Sequence, residues 1–509
     1  MKNFVAVIII ILFAAFQINA QSIFVSTTGS DSNPGTIDFP LKSISLAISK
    51  ISAGDTIFIR GGTYQISSTI SITKIGTQSS MYYLFAYPGE YVLLDCSGEN
   101  FGAKGISLNK AEYWYIKGLN VYHAGDNGME LTGASNNIIE LCNFFENQDS
   151  GMQLGNGASY NKIINCDSYY NADPPDYGDA DGFAPKLTVG TGNYFYGCRS
   201  WGNCDDGWDG YMRGATGVTT TLENCWTFEN GYLKDGTDPG SQANGNGFKM
   251  GGGDNHNSEH LKHNFILKDC LSFHNKAKGF DQNNNYGSMT LYNCTGYGNK
   301  SANYRITLQV DSGQTVDIKN CVSLNGVVDL GSFVVQGNNS WMNPFIVTDD
   351  DFISIDTTGV RDPRKADGSL PDVDFMHLSK GSDLIDAGVD VGIPYSGSAP
   401  DLGAFEYGMS IPAGVKNGNE IPKGIRLYQN YPNPFNPATR IEFSVSKETT
   451  VKLEILNILG QKIATLVEGT KPAGNYSVDF NSSNLSSGIY IYRLYSAGQI
   501  ISKKMLLVK

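Results

Sequence analysis

The stretches TLENCWTFEN (221–230) and TLYNCTGYGN (290–299) decide the fold. In each, a short alternating apolar run leads into a Cys, and an Asn follows that Cys five residues later. The same spacing recurs at Cys142/Asn147, Cys166/Asn171, Cys198/Asn203 and Cys270/Asn275, and Cys321 with Asn325 repeats it one residue shorter. The steps from Cys142 to Cys166 and from Cys270 to Cys294 are both 24 residues, a solenoid period. Alternation over so few residues marks strands rather than helices. The economical architecture is all-β: a right-handed parallel β-helix, with Cys stacked inside and Asn stacked at a turn, each bonding the backbone of the neighbouring coil.

That column also bears on the nine cysteines. An odd number cannot pair completely, and inward-stacked thiols behave as small apolar residues, so free thiols are expected rather than a disulfide framework. Cys96 and Cys204 stand outside the column.

Working outward, residues 1–20 read as a secretory leader. Lys2 begins it, an apolar run covers 4–16, and Ile18-Asn19-Ala20 precedes the cleavage point. The run is shorter than the ~20 residues a spanning helix needs, so no membrane anchor is expected in the mature chain. Leu41, Ile44, Ile48 and Ile51 fall on one face of a short helix that would cap the open end of the solenoid, ahead of a strand at 56–59. The β-helix is expected over 21–407, its last part (326–407) being final coils plus a packing tail. A Gly/Pro/Asn linker follows at 408–424, and short alternating strands at 425–509 predict a separate β-sandwich. The net charge of −13 and the lack of a basic patch exclude nucleic acid as a partner. A secreted or cell-surface monomer is expected.

A second column consists of Gly128, Gly151, Gly182, Gly207, Gly247 and Gly279, each followed by Met, Phe or Trp. The Cys-to-Gly gap is nine residues in three coils but 16 before Gly182 and 22 before Gly247. Extra residues therefore enter near 172–180 and 231–243, where they would form the lips of a groove over the glycine strands. With the glycines in register, Asp181 and Asp206 become neighbours, and a row runs Gln153, Ala184, Asp209, Lys249, Asp281. Four carboxylates (Asp181, Asp205, Asp206, Asp209) on one face are costly without a cation, and hard oxygen donors fit Ca²⁺ better than a soft metal. From spacing, Lys249 is either an ion-pair partner of Asp209 and Asp281 or a base. Lys278, Asp281 and Arg305 are candidates for substrate binding.

The motifs DADGFAPKLTVG (179–190), CDDGWD (204–209), NGFK (246–249) and KGFDQNNN (278–285) resemble polysaccharide lyase family 9, β-helix enzymes that cleave pectic acids. The resemblance implies that Asp181, Asp205, Asp206 and Asp209 hold Ca²⁺ and that Lys249 is the Brønsted base. It implies β-elimination on an acidic plant cell-wall polysaccharide, either polygalacturonate or rhamnogalacturonan I. YPNPFNPAT (431–439) is similar to type IX secretion sorting domains, which implies that secretion machinery as a partner.

Two rivals remain in view: a β-helix glycoside hydrolase, which would need a carboxylate pair as acid and base, and a non-catalytic glycan-binding solenoid. His256, His260 and His263 have a spacing that suits zinc on a helix, but their Gly/Asn-rich surroundings read as a solvated loop entering the next strand.

Overall fold

The computed structural model describes residues 21–408 and, from 425 to 507, the strands and part of the turns. The expected leader, most of the linker and much of the YPNPFNPAT motif lie outside the described residues. Three parallel sheets of twelve, ten and ten strands wrap one core, here called A, B and C in the order each coil visits them. One coil runs Ile138–Glu140 in A, Asn143–Phe145 in B and Met152–Gly155 in C. Met129, Met152, Phe183, Trp208, Phe248 and Phe280 form a single row across sheet C. All six are buried, and neighbouring aromatic members lie 4.8–5.2 Å apart between ring centroids, two pairs stacked and Trp208–Phe248 tilted. Because strand side chains alternate, the next residue in each coil faces outward.

The column glycines are required by close approach. A Cβ on Gly182 would lie 2.0 Å from Ser200 Oγ and 2.7 Å from the Gly207 carbonyl; one on Gly207 would lie 2.0 Å from Thr227 Oγ1. Ser200 uses its hydroxyl to donate to the Gly207 carbonyl at 3.0 Å, which ties the turn to the strand it launches.

The asparagines form a ladder. The Oδ1 of Asn171, Asn203, Asn230, Asn275 and Asn299 each accepts both the backbone N–H and the Nδ2–H of the preceding rung, at 2.8–3.2 Å. Each rung thus satisfies a buried main-chain donor that the turn leaves free. The last rung corrects the expected pattern: Asn299 donates to Asn303, a strand residue of sheet C, and Asn325 is exposed. The short Cys321–Asn325 spacing does not reach the turn. A second ladder, Asn137–Asn161–Asn193, has no counterpart in the sequence reading.

All nine cysteines are buried and free, Cys96 and Cys204 included. Helix Ile44–Lys50 buries Ile44, Ala47 and Ile48 at the end of the core, beside Leu41 and Ile51. After the last coil strands, Val328–Leu330 and Val335–Gly337, the tail packs Phe352, Phe375, Leu384 and Phe405 against Trp226, Phe228 and Phe273 of sheet B. Sheet B pins it further: Arg199, paired with Asp167 at 2.7 Å, donates to the Val360 and Asp362 carbonyls at 2.9 and 3.0 Å, and the tail's Arg364 pairs with Asp167 at 2.5 Å. No helix among the described residues is long and apolar enough to cross a membrane.

The chain divides into two compact units near residue 414. Among its described residues the second has two antiparallel sheets, of three and four strands, around Phe435, Ile441, Phe443, Leu453, Ile455, Tyr492 and Leu494. That is a β-sandwich.

Candidate metal and catalytic site

The site is built on three consecutive strands of sheet C: Phe183–Pro185, Trp208–Asp209 and Phe248–Lys249. The inward aromatic of each anchors the strand, and the pleat then turns Asp209 and Lys249 outward, in register with each other, with Asp281 and then Arg305 beyond. Just before the strands, the Asp206 N–H donates to Asp181 Oδ1 at 3.2 Å. Asp181, Asp206 and Asp209 each offer a carboxylate oxygen within 4.8 Å of the other two, and all three are buried.

Asp205 is buried beside them, but its carboxylate accepts from Asn244, Oδ1 from the N–H at 2.5 Å and Oδ2 from Nδ2 at 3.4 Å. It ties down the end of the 231–243 insertion. Asp206 is held in a similar way by Asn246, whose N–H and Nδ2 donate to Oδ1 at 2.7 and 2.9 Å. The Lys249 ammonium lies 2.9 Å from Asp206 Oδ2 and 3.3 Å from Asp209 Oδ1. Of the two pair partners expected from spacing, Asp209 is present, but Asp281 pairs with Lys278 at 3.0 Å instead. Arg305 pairs with Asp329 at 3.3 Å on the exposed continuation of the sheet.

A second lysine occupies the site. Lys186 Nζ lies 2.7 Å from Asp181 Oδ2 and 3.8 Å from Asp209 Oδ2. Sequence reasoning passed over it because Ala184 takes its coil's place in the Asp209–Lys249 row. The available signal was parity, since Lys186 follows Ala184 by two residues and a strand of period two gives both the same face.

Burial disfavours every charge here, and the pairs decide the outcome. Burial alone would lower Lys249, yet Asp206 and Asp209 outweigh it and hold its pKa well above the ordinary lysine value. Burial raises Asp181, with Lys186 only partly offsetting it. Burial also works to raise Asp209, but Lys249 and Lys186 together hold it below the usual carboxylate range. Burial raises Asp205 and Asp206 as well, so full ionisation of the four carboxylates, two more than the two ammonium groups balance, would call for a cation, and the carboxylate donors are hard oxygens. The residues present therefore fit a divalent cation of the Ca²⁺ type.

The two insertions meet where Gly178 approaches Gln242. They border a cleft of about 650 Å³ lined by Pro174, Tyr177, Leu233 and Lys234 together with His123 and Glu146. His123 and Glu146 directly follow sheet B strands, so this cleft opens beside sheet B and not over sheet C as expected. The histidines also differ from expectation. His256 and His260 are exposed, but His263 is buried at the start of a sheet A strand, 2.9 Å from the Gly210 carbonyl and 2.8 Å from Thr220 Oγ1. Burial pushes it down to about 4, a neutral structural imidazole next to the backbone of Asp209.

The sequence profile described as "Pel9A-like, right handed beta helix region" matches residues 23–325, and that of a "Secretion system C-terminal sorting domain" matches 429–509. Pectate lyase L of Dickeya chrysanthemi is 38% identical over 394 residues, spanning 75% of this chain and 90% of that protein. The crystal structure of pectate lyase Pel9A superposes with a TM-score of 0.70 at 36% identity, covering 77% of this chain and 97% of that one. A rhamnogalacturonan lyase superposes with a TM-score of 0.62 at 26% identity, covering 71% and 97%. The first profile spans more than half of the residues, and the similarity to pectate lyase L runs nearly the full length of that enzyme. This chain belongs to polysaccharide lyase family 9, the Pel9A-like right-handed β-helix proteins, and carries a type IX secretion sorting domain at its C-terminus.

Proposed function

We propose that the β-helix domain (21–407) is a secreted, Ca²⁺-dependent pectate lyase, with Asp181, Asp205, Asp206 and Asp209 as the metal-holding set and Lys249 as the base. One observation carries the reading: in a family 9 chain, a buried lysine lies against two members of a three-carboxylate cluster on one sheet face. A divalent cation held there supplies Lewis acidity to a uronate carboxylate, making its C5 proton more acidic. Lys249 Nζ then takes that proton. The C5–H electrons form the C4–C5 double bond as the C4–O bond breaks, and the departing alkoxide takes a proton from solvent. An ammonium cannot accept a proton, so Lys249 must first release one to solvent, and Asp206 and Asp209 oxygens engaged by a cation would no longer hold its pKa up. Lys278, Asp281 and Arg305 continue the same face and would contact neighbouring sugars. The sorting domain directs export through the type IX machinery, to the medium or the cell surface.

Polygalacturonate is favoured over rhamnogalacturonan I because identity to the pectate lyases, 36–38%, exceeds the 26% to the rhamnogalacturonan lyase. The test is to incubate purified protein with each polymer, with and without a chelator, and follow the ultraviolet absorbance of the unsaturated uronide. Product is expected from polygalacturonate, lost on chelation and restored by Ca²⁺. Lys249→Ala should lower turnover by ~10²–10⁴ while retaining Ca²⁺ binding by calorimetry. If it keeps a tenth of the parent turnover or more, Lys249 is a charge partner and not the base.

A further inference from the structure

The elimination chemistry uses one lysine of the cluster and leaves the other without a role. Lys186 lies on Asp181 and Asp209 and also donates to the Asp179 carbonyl at 3.1 Å, a main-chain acceptor outside the carboxylate cluster. Two of its three partners come from its own coil, five and seven residues away. Lys249 is held differently, by carboxylates of the neighbouring coil with the Tyr211 ring at 5.8 Å. Lys186 takes Asp181 Oδ2, and Oδ1 of the same carboxylate is turned toward Asp206. A cation can therefore join the cluster on the Asp206 side without displacing Lys186.

We propose that Lys186 is a permanent internal counter-charge: it stays on Asp181 and Asp209 when the cation binds and holds the site's net charge at a level matched to a divalent ion. The inference rests on the reading of this cluster as a cation site. Its consequence is quantitative. The repulsion between a fixed positive charge and a bound ion scales with the charge of that ion. Removing the Lys186 charge should tighten a trivalent ion more than a divalent one, in the ratio of about 3:2 on a logarithmic scale. A lysine that served only to prop up the aspartates would act in the opposite direction, since its loss would loosen both ions together.

The test is calorimetric titration of the full chain with Ca²⁺ and with Tb³⁺, at one pH and ionic strength, in the parent, Lys186→Met and Lys186→Gln. Methionine removes the charge at similar volume, and glutamine keeps a donor for Asp181 while removing the charge. Both variants should bind Ca²⁺ at least about ten-fold tighter and Tb³⁺ at least about thirty-fold tighter than the parent. Unchanged or weaker binding in Lys186→Gln overturns the proposal, as do equal gains for the two ions. Should Lys186→Met lose its native circular dichroism, Lys186→Gln decides alone. A parent chain that binds neither ion overturns the cation-site reading itself, which separates that failure from the failure of the Lys186 role.

Discussion

Asn203→Ala should be among the costliest single changes in the β-helix, and the structure supplies the magnitude. Asn203 Oδ1 accepts the Asn171 N–H at 3.2 Å and the Asn171 Nδ2–H at 2.8 Å. Its own Nδ2 donates to Asn230 Oδ1 and Ser200 Oγ, each at 3.0 Å, and to the Ser168 carbonyl at 3.3 Å. Alanine leaves the buried Asn171 N–H without that acceptor, a desolvation cost of about 1–3 kcal/mol, and removes side-chain hydrogen bonds contributing about 0.5–1.5 kcal/mol apiece. The combined loss is about 4 kcal/mol. The same rung precedes Cys204-Asp205-Asp206, so Ca²⁺ affinity should fall with stability. Urea unfolding followed by the fluorescence of buried Trp208 and Trp226 measures the loss. Because solenoid coils can open separately, hydrogen exchange over 171–230 checks that the effect is local. Asn325→Gly is the control: it falls at the corresponding place in the sequence pattern, but the residue is exposed with φ 53°, and the change should stay within about 0.5 kcal/mol. A loss below about 1 kcal/mol for Asn203→Ala would falsify the view that the ladder carries the turn.

Two further outcomes are expected. A chain ending at Tyr407 should keep its specific activity on polygalacturonate and fail to be exported by its native host, because the β-helix and the sandwich have separate cores; a folded but inactive truncation overturns the boundary. His263 titrates near 4 when folded against an ordinary 6.5, so the unfolded state binds more protons between those values. Stability should be insensitive to this group above pH 6.5 and fall by up to about 3 kcal/mol as pH drops toward 4. His263→Gln should flatten that part of the curve, and an unaltered slope there counts against a buried neutral imidazole.

The sequence by itself determined the coil. Cys, Asn and Gly recur at set distances from strands of period two, so residues at equal offsets must stack wherever coils are in register. That logic is enough to bring Asp181 beside Asp206 and Asp209 beside Lys249, because each pair stands at the same offset from its glycine. It does not extend to what lies off the rows. Lys186 reaches Asp181 and Asp209 from a coil whose own place in the row is Ala184. Asp205 stands at the turn and is taken by Asn244 of an insertion whose path no offset describes. Asn303 completes the ladder in place of Asn325 because the last turn is one residue short. His263 is buried because the coils close over it, although its neighbours in the chain are polar. Row positions follow from local geometry repeated along the chain. Contacts across unequal loops, and the tail's packing on sheet B, depend on how the whole chain closes in space, and the tertiary structure decided those.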